Sequence, residues 1–213
     1  MVHIRIEQIE EYAKNNNVPI MQKEGINFLT KYIKDNNIKN ILEIGSAIGY
    51  SAIKMALVDQ NIKVTTIERD IERYTKALEN IKAFNLEKRI NIILGDALET
   101  NINDKFDLIF IDAAKSQYIK FFEKYEINLK RNGVIITDNL SFHGLVEDDS
   151  KITNRNTKQL VRKIRNYIEF LKNNKNFDTI FYSLGDGVAI SKKNNWLVFF
   201  NKKQKSFYFF VFL

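Results

Sequence analysis

The chain has 213 residues, of which 45% are hydrophobic and 28% charged, with no cysteine and a formal net charge of +7. That length suits one domain with a sizeable core, and the composition is globular rather than disordered. Disulfides, thiolate zinc sites and cysteine nucleophiles are excluded. No window approaches the ~20 apolar residues of a membrane span, and residues 1–20 lack a signal-type apolar core, so a cytoplasmic protein with no membrane partner is expected.

Residues 4–15 (IRIEQIEEYAKN) and 22–36 (QKEGINFLTKYIKDN) have helical spacing, giving an N-terminal helical cap over 1–36. In NILEIGSAIGYSAIKMALV, Ile41 to Ile44 read as a short buried strand, the glycines as a tight turn and Ser51 to Val58 as a helix. KVTTIE is a β-branched strand, and DIERYTKALENIKAFNL is a helix with Asp70 as its N-cap. INIILGD and FDLIFID are strands, QYIKFFEKYEINL a helix, GVIITDN a strand and residues 156–174 a long helix. FDTIFYSLGDGVAISKK reads as two strands around a Gly-Asp-Gly turn. Strands alternating with helices imply right-handed crossovers. The expected fold is α/β: one domain over 1–193, with a seven-stranded, mostly parallel sheet, helices on both faces and an antiparallel C-terminal hairpin.

Two stretches stand apart. Residues 151–176 carry eight Lys or Arg and one acid, Glu169. They fit either the solvated face of an amphipathic helix or a surface for a polyanion. Residues 194–213 are an atypical aromatic-rich tail, compatible with an extra strand, a dimerisation segment or a shifted or extended reading frame. Its FYFFVFL end is aggregation-prone unless covered, and no catalytic role is expected of it.

Ligands of open α/β sheets bind beyond the carboxyl ends of the strands, where the strand order reverses. Each of the first five strands finishes with an acid at or beside its end: Glu43, Glu68, Asp96, Asp112 and Asp138. One such acid is usually a helix cap; five in register point to a site. Gly45 and Gly49 let backbone approach a ligand, and Glu68 is placed to accept two ribose hydroxyls. The turn lacks G-x-G-x-x-G, with Ala47 where a second glycine would stand, and Glu43 would repel a pyrophosphate. An acid there suits a cationic ligand group, such as the amino group of S-adenosylmethionine (SAM).

Asp112, Asp138 and Asn139 offer hard oxygen donors from neighbouring strand ends, a partial octahedral set for Mg²⁺ or another divalent cation. Such a cation lowers the pKa of a substrate hydroxyl it binds. Lys115, three residues past Asp112, is either its local ion-pair partner or a general base. His143, in NLSFHGLVEDD, is placed as a lid residue rather than a ligand.

The phrases ILEIGSAIGYSAI, GDA, FDLIFIDAAKSQY, GVIITDN and GDGVAISKK together resemble the Mg²⁺-dependent class I SAM O-methyltransferases, the group that contains the catechol and caffeoyl-CoA enzymes. The resemblance runs from about Val18 to Lys193, and DAAKSQY looks most like the bacterial branch that methylates 5-hydroxyuridine at the tRNA wobble position. It implies a SAM pocket lined by Met21, Glu43, Gly45, Ser51, Glu68, Asp96, Ala97 and Asp112. It also implies a metal held by Asp112, Asp138 and Asn139, catalytic roles for Lys115 and Asp112, and a homodimer. Lys23 stands where the family pattern has proline, and the tail is a second departure. A tRNA partner would meet Arg155, Arg162, Lys163 and Arg165. The rival readings are a small catechol-like phenol as acceptor and a non-catalytic SAM- and RNA-binding protein.

Overall fold

The computed structural model describes residues 2–150 and 152–194; residues 195–213, with the aromatic tail, lie outside the described residues. Among these, seven strands form one sheet: β1 (Asn40–Ile44), β2 (Lys63–Glu68), β3 (Ile90–Leu94), β4 (Phe106–Ile111), β5 (Leu129–Thr137), β6 (Phe177–Tyr182) and β7 (Val188–Lys193). Their order is β3-β2-β1-β4-β5-β7-β6. β1 to β5 pair in parallel, whereas β7 is antiparallel to both β5 and β6. The expected sheet and closing hairpin are both present.

The helices are α1 (Val2–Asn15), α2 (Lys23–Asp35), α3 (Tyr50–Ala56), α4 (Ile71–Ala83), α5 (Tyr118–Tyr125) and α6 (Arg155–Asn173). Asp70 caps α4 as expected, its carboxylate accepting the backbone N–H groups of Glu72 and Arg73 at 3.0 Å. Asn154 does the same for α6. The region after Tyr125 departs from the expected helix: it tightens into a 3₁₀ turn over Glu126–Asn128, and β5 begins at Leu129 rather than Gly133. Lys130, Arg131 and Asn132 hid that strand start. They sit at the sheet rim with exposed or half-exposed side chains, so the run shows no apolar pattern.

Two apolar layers sandwich the sheet. Ile41, Leu108, Phe110, Val134 and Ile136 face α2 and α3 residues such as Leu29, Ile33 and Ile53. Leu42, Ile44, Ile109, Ile111 and Ile135 face Phe121, Phe122, Tyr167 and Leu171 from α5 and α6. In β4, Leu108, Ile109, Phe110 and Ile111 are fully buried, and each contributes about 1.5–3 kcal/mol by leaving water. This double burial explains why the central strands are continuous apolar runs. It also makes their polar ends conspicuous.

Candidate active site

The strand order reverses between β1 and β4, and the two ends meet there. Asp112 N–H donates to Ile44 O at 3.0 Å, and Gly45 N–H to Ile67 O at 3.0 Å. Gly45 has φ +94°, and a Cβ built on it would lie 2.5 Å from the Asp112 carbonyl oxygen. Only glycine lets β1 turn away this close to β4. Ala47 holds φ +44°; its N–H donates to Glu68 Oε2 at 2.8 Å, which fastens the turn to the end of β2.

A cavity of about 660 Å³ opens above this reversal, within the ~300–1,000 Å³ range of small-molecule sites. Met21, Gly45, Ser51, Glu68, Asp96, Ala97, Asp112, Lys115, Asp138, Asn139 and His143 all line it, so the sequence-derived residues converge from five strand ends and the N-terminal cap. Glu68 presents its carboxylate with Oε1 already accepting the N–H groups of Arg69 and Asp70, both at 2.9 Å. Asp96 accepts from Leu98 N–H at 2.8 Å. Glu68 Oε1 is filled by these two bonds, whereas Glu68 Oε2, which accepts only Ala47 N–H, and the Asp96 carboxylate keep lone pairs for ligand hydroxyls. Arg69, Arg73, Gln117 and Phe142 also line the cavity. Sequence reasoning missed them because nothing in their spacing marks which side of a turn faces the ligand. Lys23, the departure from the family pattern, lies outside the wall and pairs with Glu10 at 3.2 Å.

Glu43 corrects one expectation. It does not line the cavity but lies beneath its floor, fully buried. Ser51 Oγ donates to its Oε1 at 2.5 Å and Thr66 Oγ1 to its Oε2 at 2.6 Å. Burial pushes its carboxyl up to about 7 against these two bonds, with Asp112 and Glu68 adding repulsion. Glu43 therefore braces β1, β2 and α3 through these two hydrogen bonds.

At the other end of the cavity, Asn139 Nδ2 lies 3.0 Å from both Asp112 Oδ1 and Asp138 Oδ2. Asn139 achieves this from a left-handed backbone, φ +64°, which asparagine tolerates well. Tyr118 Oη donates to the Asp138 carbonyl at 3.0 Å and anchors that strand end from α5. Both carboxyl groups are raised: Asp112 by burial, partly offset by Lys115 and Asn139, and Asp138 by burial and by the charge of Asp112. Among the described residues no three or more His, Cys, Asp or Glu gather as a metal cluster; the set is two carboxylates and an amide. It fits a hard divalent cation, because two adjacent buried carboxylates lack sufficient positive charge. A half-turn of the Asn139 amide would bring its oxygen beside them. Lys115 is not held in a close ion pair with Asp112. Its Nζ sits 5.7 Å above the centroid of the Phe142 ring, at the cavity wall.

The basic helix is divided by the structure. Arg155, Lys158, Arg162 and Lys163 are exposed. Arg165 is not free for RNA as expected: its Nε and Nη2 donate to Val146 O at 2.9 and 2.7 Å, and its Nη1 to Asp149 at 2.7 Å. Its guanidinium fork clamps the loop that follows the metal-type residues.

Comparison with known proteins agrees with this fold. The O-methyltransferase family model matches residues 2–194. The chain is 30% identical to a caffeoyl-CoA O-methyltransferase of Populus kitakamiensis, over 86% of this chain and 82% of that one. It superposes on a candidate caffeoyl-CoA O-methyltransferase from Staphylococcus aureus with a TM-score of 0.85 and 44% identity, covering 89% of this chain and 92% of the other. A Bacillus cereus O-methyltransferase in complex with S-adenosylhomocysteine gives a TM-score of 0.76 at 26% identity, covering 89% and 90%. The chain belongs to the O-methyltransferase family.

Proposed function

We propose that this protein, an S-adenosylmethionine-dependent O-methyltransferase, acts on 5-hydroxyuridine at the wobble position of tRNA. The observation that carries the reading is one juxtaposition. α6 packs against the Lys115–Gln117 turn of the cavity wall, and it leaves Arg155, Lys158, Arg162 and Lys163 facing solvent. A basic helix beside the reacting lysine suits a substrate whose phosphates extend away from the reacting base.

When bound, SAM supplies a sulfonium methyl open to displacement by oxygen, and a divalent cation lowers the pKa of the acceptor hydroxyl. The chain's own residues do the rest. Glu68 and Asp96 bind and orient the nucleoside part of the cofactor from fixed carboxylates. Asp112, Asp138 and Asn139 would hold the cation, which would supply a Lewis acid for the acceptor hydroxyl. Lys115 takes the hydroxyl proton at Nζ, and Phe142 and His143 form the wall beside it.

The second reading, a small catechol-like phenol, is favoured by the caffeoyl-CoA O-methyltransferase of Populus kitakamiensis. It uses the same residues on a similar oxygen pair. Methyl incorporation from labelled SAM into tRNA lacking wobble 5-methoxyuridine, run beside caffeoyl-type phenols, separates the two. Labelled tRNA supports the first; labelled phenol with unlabelled tRNA replaces it with the second.

A further inference from the structure

Asp186 is a buried acid that the scheme above leaves unused. It sits in the Gly-Asp-Gly turn between β6 and β7 and is 5% exposed. Its Oδ1 accepts the backbone N–H of His143 at 2.5 Å, with His143 Nδ1 3.6 Å away. Its carbonyl accepts Ser141 N–H at 2.7 Å, and the Gly187 carbonyl accepts Leu140 N–H at 3.0 Å. A Cβ on Gly187 would lie 2.8 Å from Ser141 N, so the two segments are pressed together. The bonded residues directly follow Asn139, and Phe142 and His143 hold φ +50° and +59°. Such conformations persist only where their surroundings impose them.

The second oxygen, Asp186 Oδ2, is buried with no hydrogen-bond partner, the one such side-chain atom among the described residues. An unpaired buried carboxylate oxygen costs stability. Asp138 and Tyr118 are raised first by burial and then by Asp112, and Asp186 adds a smaller repulsion to both. The loss in the metal-free chain has a use if positive charge arrives at the neighbouring carboxylates.

We propose that Asp186 is a positioning residue of the divalent-cation centre. Its Oδ1 sets the backbone behind Asn139, and its unpaired Oδ2 adds negative charge outside the set Asp112, Asp138 and Asn139. The inference rests on the cation reading of that set.

The test titrates Mn²⁺ alone into the full chain and follows free Mn²⁺ by electron paramagnetic resonance. Wild type is compared with Asp112→Ala and Asp186→Asn, and S-adenosylhomocysteine affinity and metal-free thermal unfolding are measured in parallel. Asp186→Asn keeps the volume and an acceptor but removes the charge. It should weaken Mn²⁺ binding by about 10–100-fold, the usual effect of losing an outer partner of a metal site. It should leave S-adenosylhomocysteine affinity unchanged and raise the metal-free melting temperature. A purely structural role would lower that temperature instead. Mn²⁺ affinity within twofold of wild type both in Asp186→Asn and in Asp186→Ser, which also loses the Oδ1 acceptor, with binding lost in Asp112→Ala, overturns the role of Asp186 alone. No Mn²⁺ binding by wild type, or wild-type binding by Asp112→Ala, overturns the cation reading itself. Asp186→Ser removes the charge and the Oδ1 acceptor together, so it is read by Mn²⁺ and S-adenosylhomocysteine affinity and not by melting temperature, and it serves alone if Asp186→Asn does not accumulate as folded protein.

Discussion

The Asn139 amide nitrogen lies 3.0 Å from Asp112 Oδ1 and so joins the ends of two neighbouring strands, β4 and β5. The same nitrogen reaches Asp138 Oδ2 at 3.0 Å. Asn139→Asp keeps the left-handed backbone accessible but replaces the donor with a third carboxylate. The metal-free variant should lose about 1–3 kcal/mol, the cost of leaving buried acceptors unpaired. Mg²⁺ should raise its melting temperature more than it raises that of the wild type. Thermal unfolding in chelator and in Mg²⁺ checks both.

Lys115 faces the Phe142 ring at the cavity wall rather than a close ion-pair partner. The proposed role of Lys115 in taking the acceptor proton predicts that Lys115→Met lowers kcat by about 10²–10⁴-fold. SAM affinity should be unchanged. Steady-state rates with isothermal titration of SAM separate the two effects.

Glu43 gives a pH dependence of folding. Burial holds its carboxyl at about 7, above the ordinary 4.5. The folded state therefore keeps this proton to higher pH than the unfolded chain does. The associated stability is complete below about pH 4 and is lost as pH rises through about 7. Glu43→Gln cannot titrate, so the stability difference between variant and wild type should swing towards the variant by about 3 kcal/mol between acidic and mildly basic pH. Urea unfolding at both pH values tests this, and parallel curves would contradict it.

The two kinds of arginine on α6 should behave differently. Replacing Arg155, Arg162 and Lys163 together with glutamine should reduce the salt dependence of tRNA binding by about two to three units of log–log slope. Arg165→Ala should leave that slope nearly unchanged, because its guanidinium is engaged with Val146 and Asp149. It should instead raise KM for the acceptor by releasing the loop. Filter binding across a salt series, with kinetics on both variants, gives the answer.

Gly45→Ala would place a Cβ 2.5 Å from the Asp112 carbonyl at φ +94°. The backbone strain alone should cost about 1–3 kcal/mol. SAM affinity should fall as the turn withdraws from β4. Chemical denaturation and SAM titration read the two losses separately.

The alternation of strand and helix, the seven strands and the acid at the end of each of the first five are legible in the sequence because burial on both sheet faces forces continuous apolar runs. Acids then gather where the strands leave the core. Asp112, Asp138, Asn139 and Lys115 are readable for that reason, and the cavity gathers all four. Sequence spacing carries no information about which way a side chain turns once the chain has left its strand. Tertiary structure alone decided that Glu43 braces the floor, that Arg165 clamps a loop, and that Asp186 lies behind Asn139 from a turn 47 positions further along the chain. The sheet order brings β7 beside β5, and that pairing, invisible to any local pattern, places an unpaired carboxylate oxygen behind the metal-type residues.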